Sequence, residues 1–171
     1  ATAYSWSVVS LRYSNAAGAT DKLGEDHRPE AHLIPNILAA VERGDAVRIF
    51  GSDYPTPDGT CVRDYIHVDD LAAAHHAALE LTATAAPGHT ACNLGSGSGF
   101  SNLDILHTAE RVVGHAIPHE MGERRPGDPP TLVASNGQAR ELLGWEPRRS
   151  LEEMIGSAWA WRQSHPAGYA D

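Results

Sequence analysis

Short β-branched runs alternate with segments of helical periodicity along this chain, and that alternation restricts it to an α/β architecture. Trp6 to Tyr13 (WSVVSLRY) reads as a strand, as do Val47 to Phe50, Thr90 to Leu94 and Ile117 to Met121. Cys61 to Val68 reads as one more, interrupted by Arg63 and Asp64. Between these runs, Leu33 to Arg43 carries a helical pattern that Gly44 closes. An Ala-rich helix, with Asp69 or Asp70 as its cap, runs to about Thr82. Ser101 with Asp104 and Ser150 with Glu153 have capping-box spacing and open two further helices. Gly114 follows the first, and Pro166 stops the second. Asn136 to Leu143 is a short helix ending at Gly144. Ser14 to Ala31, Gly51 to Thr60 and Glu123 to Pro130 read as loops, and Leu132 to Ser135 as a short extended piece.

Composition removes several function classes. A chain of 171 residues, 42% hydrophobic and 20% charged, fits one ordinary folded domain rather than a disordered one. No apolar run approaches the roughly 20 residues that span a bilayer, so no membrane association is expected. Ala1 to Ser10 has neither a basic n-region nor an apolar h-region, which gives no secretory signal. Cys61 and Cys92 form no Cys-x-x-Cys pattern and read as structural thiols in a reducing cytoplasm. A formal net charge of −9 without a basic block argues against nucleic-acid binding. The ten histidines include no His-x-x-x-His pair on an expected helix, so no metal site is expected.

Gly95, Gly97 and Gly99 follow an expected strand and precede a helix, which superficially matches a dinucleotide loop. The fingerprint needs glycines at relative positions one, three and six, and the sixth position here is Phe100. A tight, glycine-rich entry to a capped helix is the better reading, and NAD binding by this loop is rejected.

A series of motifs then resembles the UDP-glucose 4-epimerase family of extended short-chain dehydrogenase/reductases. They are Ser10-Leu-Arg-Tyr-Ser-Asn-Ala-Ala-Gly18, Gly24-Glu-Asp-His27, His32-Leu-Ile-Pro35 and Ile49-Phe-Gly-Ser-Asp-Tyr-Pro-Thr-Pro-Asp-Gly-Thr60. Val62-Arg-Asp-Tyr-Ile-His-Val68, Asn93-Leu-Gly95, Arg124-Arg-Pro-Gly-Asp128 and His165-Pro-Ala-Gly-Tyr169 continue the series in order. The resemblance implies that residues 1–171 are the C-terminal, UDP-sugar-binding portion of such a fold, opening with a late strand of its Rossmann half. It places the N-terminal NAD-binding domain, with its catalytic Ser/Thr and Tyr-x-x-x-Lys, outside this sequence. The sequence agrees on one point, because Lys22 is the only lysine and Gly18 stands four places before it. No Tyr-x-x-x-Lys pair exists here, so no catalytic residue is assigned and the isolated chain is expected to be inactive.

In that family NAD accepts a hydride from the sugar C4 while the tyrosine acts as base, and the ketone turns over before reduction. The implied ligands are UDP-glucose and UDP-galactose, with NAD as cofactor of the whole enzyme but not held by this chain alone. Binding energy from the non-reacting UDP would anchor a loosely held sugar. Arg63 and Arg125 are the expected diphosphate ligands, since guanidinium offers paired donors and a permanent charge. Arg63 sits within an apolar run, so it needs an anionic partner; an internal pair with Asp64 or Asp69 is the alternative. By resemblance, Asp128 receives a ribose hydroxyl and Asn15 contacts phosphate or sugar, although either residue also suits a turn. The backbone N–H of Leu33 would meet phosphate at a helix start. Phe50 would line the uracil slot and Tyr65 its wall, while both also make sense as core aromatics. Tyr13 would touch the nicotinamide side through its backbone. Ser14 replaces a usual phenylalanine, and Leu132 occupies a position tied to N-acetyl sugar acceptance, which makes both specificity positions. Two further readings stay open: a non-catalytic UDP-sugar or partner-binding module, and an epimerase half specific for another UDP-sugar. If the NAD-binding half is separately encoded, it is the expected protein partner.

Overall fold

The computed structural model describes residues 1–169, so the last two positions of the expected domain lie outside the described residues. Nine strands and five α-helices alternate through these residues. The strands are β1 (Ser7–Arg12), β2 (Asn15–Ala17), β3 (Val47–Phe50), β4 (Val62–Arg63), β5 (Tyr65–His67), β6 (Gly88–Asn93), β7 (Phe100–Ser101), β8 (His119–Gly122) and β9 (Thr131–Leu132). The helices are α1 (Leu33–Arg43), α2 (Val68–Thr84), α3 (Asn102–Val113), α4 (Gly137–Leu143) and α5 (Leu151–Ser164). β1 pairs β6, β2 pairs β5 and β3 pairs β8, all parallel, while β4 lies between antiparallel β7 and parallel β9. No helix among the described residues is long and apolar enough to cross a membrane.

Two apolar clusters hold these pieces. One gathers α1, α3 and α5 around β3 through Ile37, Leu38, Ile49, Ile105, Leu106 and Ile155, all fully or nearly fully buried. The other packs α2 and α4 on β6 through Leu71, Ala74, Cys92, Leu94, Ala139 and Trp145. β3 shows why one short run serves both core and surface. Its alternation buries Val47 and Ile49 and turns Arg48 and Phe50 to the opposite face.

Local rules fixed most boundaries. Gly44 ends α1 in the left-handed region at φ 70°, and its N–H reaches back to the Ala40 and Val41 carbonyls. Both capping boxes form, with Ser101 and Asp104 opening α3 and Ser150 and Glu153 opening α5. The Ser150 amide and hydroxyl, with Arg149, hold the Glu153 carboxyl down at about 2 against an ordinary value of 4.5. A depressed carboxylate supports the fold above its unfolded range, and that support drains away as pH falls from 4.5 towards about 2. Glu153→Gln should therefore flatten the acid limb of the thermal midpoint across that window. An unchanged limb would show that this box adds nothing.

Three expectations needed correction. The run Cys61 to Val68 is two strands in different sheets, because the chain pivots at Asp64. Its buried carboxylate accepts the Ser96 and Ala134 amides, each at 2.9 Å. Its carbonyl accepts the Asn15 backbone amide at 3.3 Å and the Asn15 side chain at 2.8 Å. The cap of α2 is His67, whose Nδ1 accepts the Asp69 amide at 3.0 Å. Asp69 and Asp70 are drawn instead to the segment before α5: Asp70 accepts the Arg148 and Arg149 amides, and Asp69 pairs with Arg149. Within Ser14 to Ala31, Asn15–Ala17 forms β2, recruited by β5 at the exit of the Asp64 pivot.

Candidate functional site

β3 and β8 run side by side and release their loops at the same edge, the carboxyl end where parallel strands most often present ligand sites. α1 and the β4–β5 pivot close the opposite wall. The result is a cleft of about 400 Å³ lined by Asn15, Leu33, Phe50, Arg63, Tyr65, Arg125 and Asp128. These are all seven residues the sequence pointed to for substrate binding, brought together from α1, β2 to β5 and the loop before β9.

Arg63 is the least exposed charged side chain lining the cleft. Its side chain is only 16% exposed, and its Nη2 lies 3.4 Å from Oδ1 of Asp128. Nη1 donates to the Val62 and Pro129 carbonyls, both at 2.9 Å. The internal partner of Arg63 is therefore Asp128, not Asp64 or Asp69. Asp128 is 37% exposed at a loose ion-pair distance, so it orients the guanidinium without saturating it.

Arg125 reaches the cleft from the loop after β8. Its guanidinium carbon stands 4.1 Å from the centre of the Phe50 ring, and that of Arg48 stands 5.3 Å from the same ring. Burial pushes the Tyr65 hydroxyl up to about 12, against a smaller opposing pull from Arg63. It stays protonated at neutral pH. Leu33 is the first residue of α1, whose N-cap His32 makes no side-chain capping bond. Asn15 faces the cleft with one amide hydrogen already given to the Asp64 carbonyl at 2.8 Å.

The three remaining expected positions do not line this cleft. Tyr13 is 45% exposed just beyond β1 and makes an edge contact with His75 at 6.0 Å between ring centres. Ser14 is exposed beside it. Leu132 is 52% exposed on β9, opposite Arg63 in the ladder. Sequence reasoning missed Arg43, Arg48, His32, Asn36 and Asn102, which also line the cleft. A signal for Arg48 existed, because a two-residue strand period places it on the face of Phe50. The acidic chain thus turns four arginines into one concavity, with Arg43 already paired to Asp45 at 2.6 Å. That arrangement suits a multiply charged anion beside an aromatic surface.

The glycine-rich turn offers no cradle for a dinucleotide. The Ser96 amide donates to Asp64, and the Ser98 and Gly99 amides donate to the Ser96 hydroxyl. A Cβ on Gly95 would stand 2.0 Å from the Ala134 carbonyl oxygen, so this glycine serves close packing of protein on protein. The residues of this turn do not fit a pyrophosphate, and no chemical step is assigned through NAD. Among the described residues no group of three His, Cys, Asp or Glu side chains is placed to hold a metal ion.

The sequence pattern of the NAD dependent epimerase/dehydratase family matches residues 1–95, more than half of the chain, and the chain belongs to that family. The UDP-glucose 4-epimerase of Streptococcus mutans serotype c is 53% identical over 99% of the chain and 52% of its own length. A crystal structure of a UDP-glucose 4-epimerase superposes with a TM-score of 0.88 at 47% identity, covering 95% of this chain and 50% of the other. The enzyme from Bifidobacterium longum, solved in complex with NAD+ and UDP, gives 0.89 at 40% identity, covering 96% and 50%. The chain thus has the α/β fold of extended short-chain dehydrogenase/reductases and corresponds to the C-terminal half of these enzymes. It spans about half the length of the curated relatives it matches.

Proposed function

We propose that residues 1–171 form the UDP-sugar-binding domain of a UDP-glucose/UDP-galactose 4-epimerase, gripping the nucleotide while hydride and proton transfer are carried by an NAD-binding half. The observation that carries this reading is the convergence of Arg63, Arg125, Asp128, Phe50, Tyr65, Asn15 and Leu33 on one cleft. Arg63 and Arg125 take the diphosphate, Asp128 the ribose hydroxyls, and Phe50 with Tyr65 the base. When the diphosphate arrives it replaces Asp128 as the main counter-charge of Arg63, which frees the carboxylate for the sugar of the nucleoside. NAD, held elsewhere, supplies the redox chemistry at C4. Tyr13 on the nicotinamide side, and Ser14 and Leu132 as specificity positions, stay part of this reading through the motif resemblance alone, since none of the three lines the cleft.

Calorimetric titration of the chain with UDP tests the anchor, and a coupled assay with UDP-galactose and added NAD tests the chemistry. The expected result is saturable one-to-one UDP binding without turnover, because the sequence holds no Tyr-x-x-x-Lys pair. A folded sample that ignores UDP removes the anchor reading. Turnover above a buffer blank removes the division of labour.

A further inference from the structure

The two adjacent arginines of the loop after β8 do different work. Arg125 lies over Phe50 inside the cleft, whereas Arg124 turns the other way onto the loop that follows β3. Its Nε donates to Oδ1 of Asp53 at 2.6 Å, its Nη2 donates to the Asp53 carbonyl, and its guanidinium carbon stands 4.2 Å from the centre of the Tyr54 ring. Tyr54 is itself 5% exposed, and its ring packs so closely on Gly51 that a Cβ there would stand 2.2 Å from it.

The surface that receives Arg124 is firmly built. The Tyr54 amide donates to the Gly59 carbonyl at 2.9 Å, and the Thr60 amide and hydroxyl both donate to Oδ1 of Asp58. The other oxygen of Asp58 accepts the hydroxyl of Ser101, the residue that caps α3. The Gly51 to Thr60 loop is therefore fastened to a helix start in the main core. The partner loop has far less of its own. Its Arg125 to Asp128 turn is closed by one 3.2 Å backbone bond, and Arg63 holds its far end at Pro129. At the near end the Gly51 amide donates to the Gly122 carbonyl at 2.9 Å, and Arg124 adds a side-chain tie one residue before the side chain that enters the cleft.

We infer that Arg124 is a positioning residue for nucleotide binding: clamped by Asp53 and Tyr54, it sets the backbone from which Arg125 reaches the anion. It touches no ligand and acts through Arg125. Immobilising the loop beforehand lowers the ordering cost that a ligand would otherwise meet. The inference rests on the cleft's reading as a UDP site, and the experiment separates the two.

UDP affinity is measured by calorimetry on the 171-residue chain for the parent, Arg124→Ala, Arg125→Ala and the double variant, with thermal midpoints taken alongside. Arg124→Ala is expected to weaken UDP about tenfold in the parent, but by less than about twofold once Arg125 is already alanine. Arg124→Lys keeps the charge without the fork and is expected to lose about threefold. A purely structural role would give additive losses in the double variant, and that result overturns the inference. So does an Arg124→Ala chain that binds like the parent while Arg125→Ala is impaired. If Arg124→Ala does not fold, Asp53→Ala replaces it, since that carboxylate is 74% exposed; about a threefold loss is expected, and no loss overturns the inference. A parent chain that is folded and blind to UDP overturns the cleft's reading, and this inference with it.

Discussion

Replacing Arg63 by alanine should weaken UDP binding by about a hundredfold, near 2.7 kcal/mol, the scale of one charge-assisted contact with a diphosphate. The size of the effect follows from where Arg63 stands. It is the least exposed charge in the cleft, and removing it both deletes a diphosphate donor and leaves Asp128 as an unopposed negative charge beside the incoming anion. It also releases the Pro129 carbonyl and so loosens the loop that carries Arg125. Arg63→Lys should recover only part of the loss, because an ammonium cannot span two phosphate oxygens and the Pro129 carbonyl from one plane. Isothermal titration with UDP at fixed ionic strength is the measurement. A change smaller than about threefold would mean that the anion is held elsewhere and that the Arg63–Asp128 pair is merely architectural.

Asp64→Ala should lower the stability of the chain by about 3 kcal/mol, a large share of the roughly 5–15 kcal/mol that holds a domain together. Asp64 is 1% exposed, and among the described residues its two carboxylate oxygens are the sole hydrogen-bond partners of the Ser96 and Ala134 amides. Truncation strands both donors in a half-buried position, at about 1–2 kcal/mol each. Asp64→Asn should cost less, since one acceptor survives while the new NH2 faces a donor. Urea unfolding reports the midpoint and the slope together, so a loss of stability is distinguishable from a change in the unfolded state. A shift below about 1 kcal/mol would show that water replaces the carboxylate at this joint.

The parts of the fold that were legible in the sequence are those governed by local chemistry. Glycine needs no side-chain clearance in the left-handed region, so Gly44 and Gly114 marked helix ends from composition alone. Ser-x-x-Asp and Ser-x-x-Glu satisfied two orphan amides each and were readable from spacing. What stayed hidden depends on partners distant along the chain. Nothing near Asp64 reveals that Ser96 and Ala134 will claim its carboxylate, and so nothing reveals that one apolar run will split between two sheets. His67 won the cap of α2 because Arg149 and the amides before α5 had taken the aspartates that precede the helix interior.

The candidate site divides in the same way. Seven residues carried by motif resemblance converge on one cleft, whereas Tyr13, Ser14 and Leu132 do not line it. Arg48 was recoverable from strand alternation and was overlooked. Nothing in the sequence around Arg124 marks a role for it, since only the tertiary approach of Asp53 and Tyr54 gives it a task.

The cleft draws its walls from Asn15, Leu33, Phe50, Arg63 and Asp128, segments spread over most of the chain. A cavity assembled from such remote stretches has high contact order and cannot form on any folding intermediate that has not brought the segments of Asn15 and Asp128 together. Occupancy of that cavity is therefore a report on the joining of these distant segments, and a molecule lodged there works as a clasp that favours their joined state.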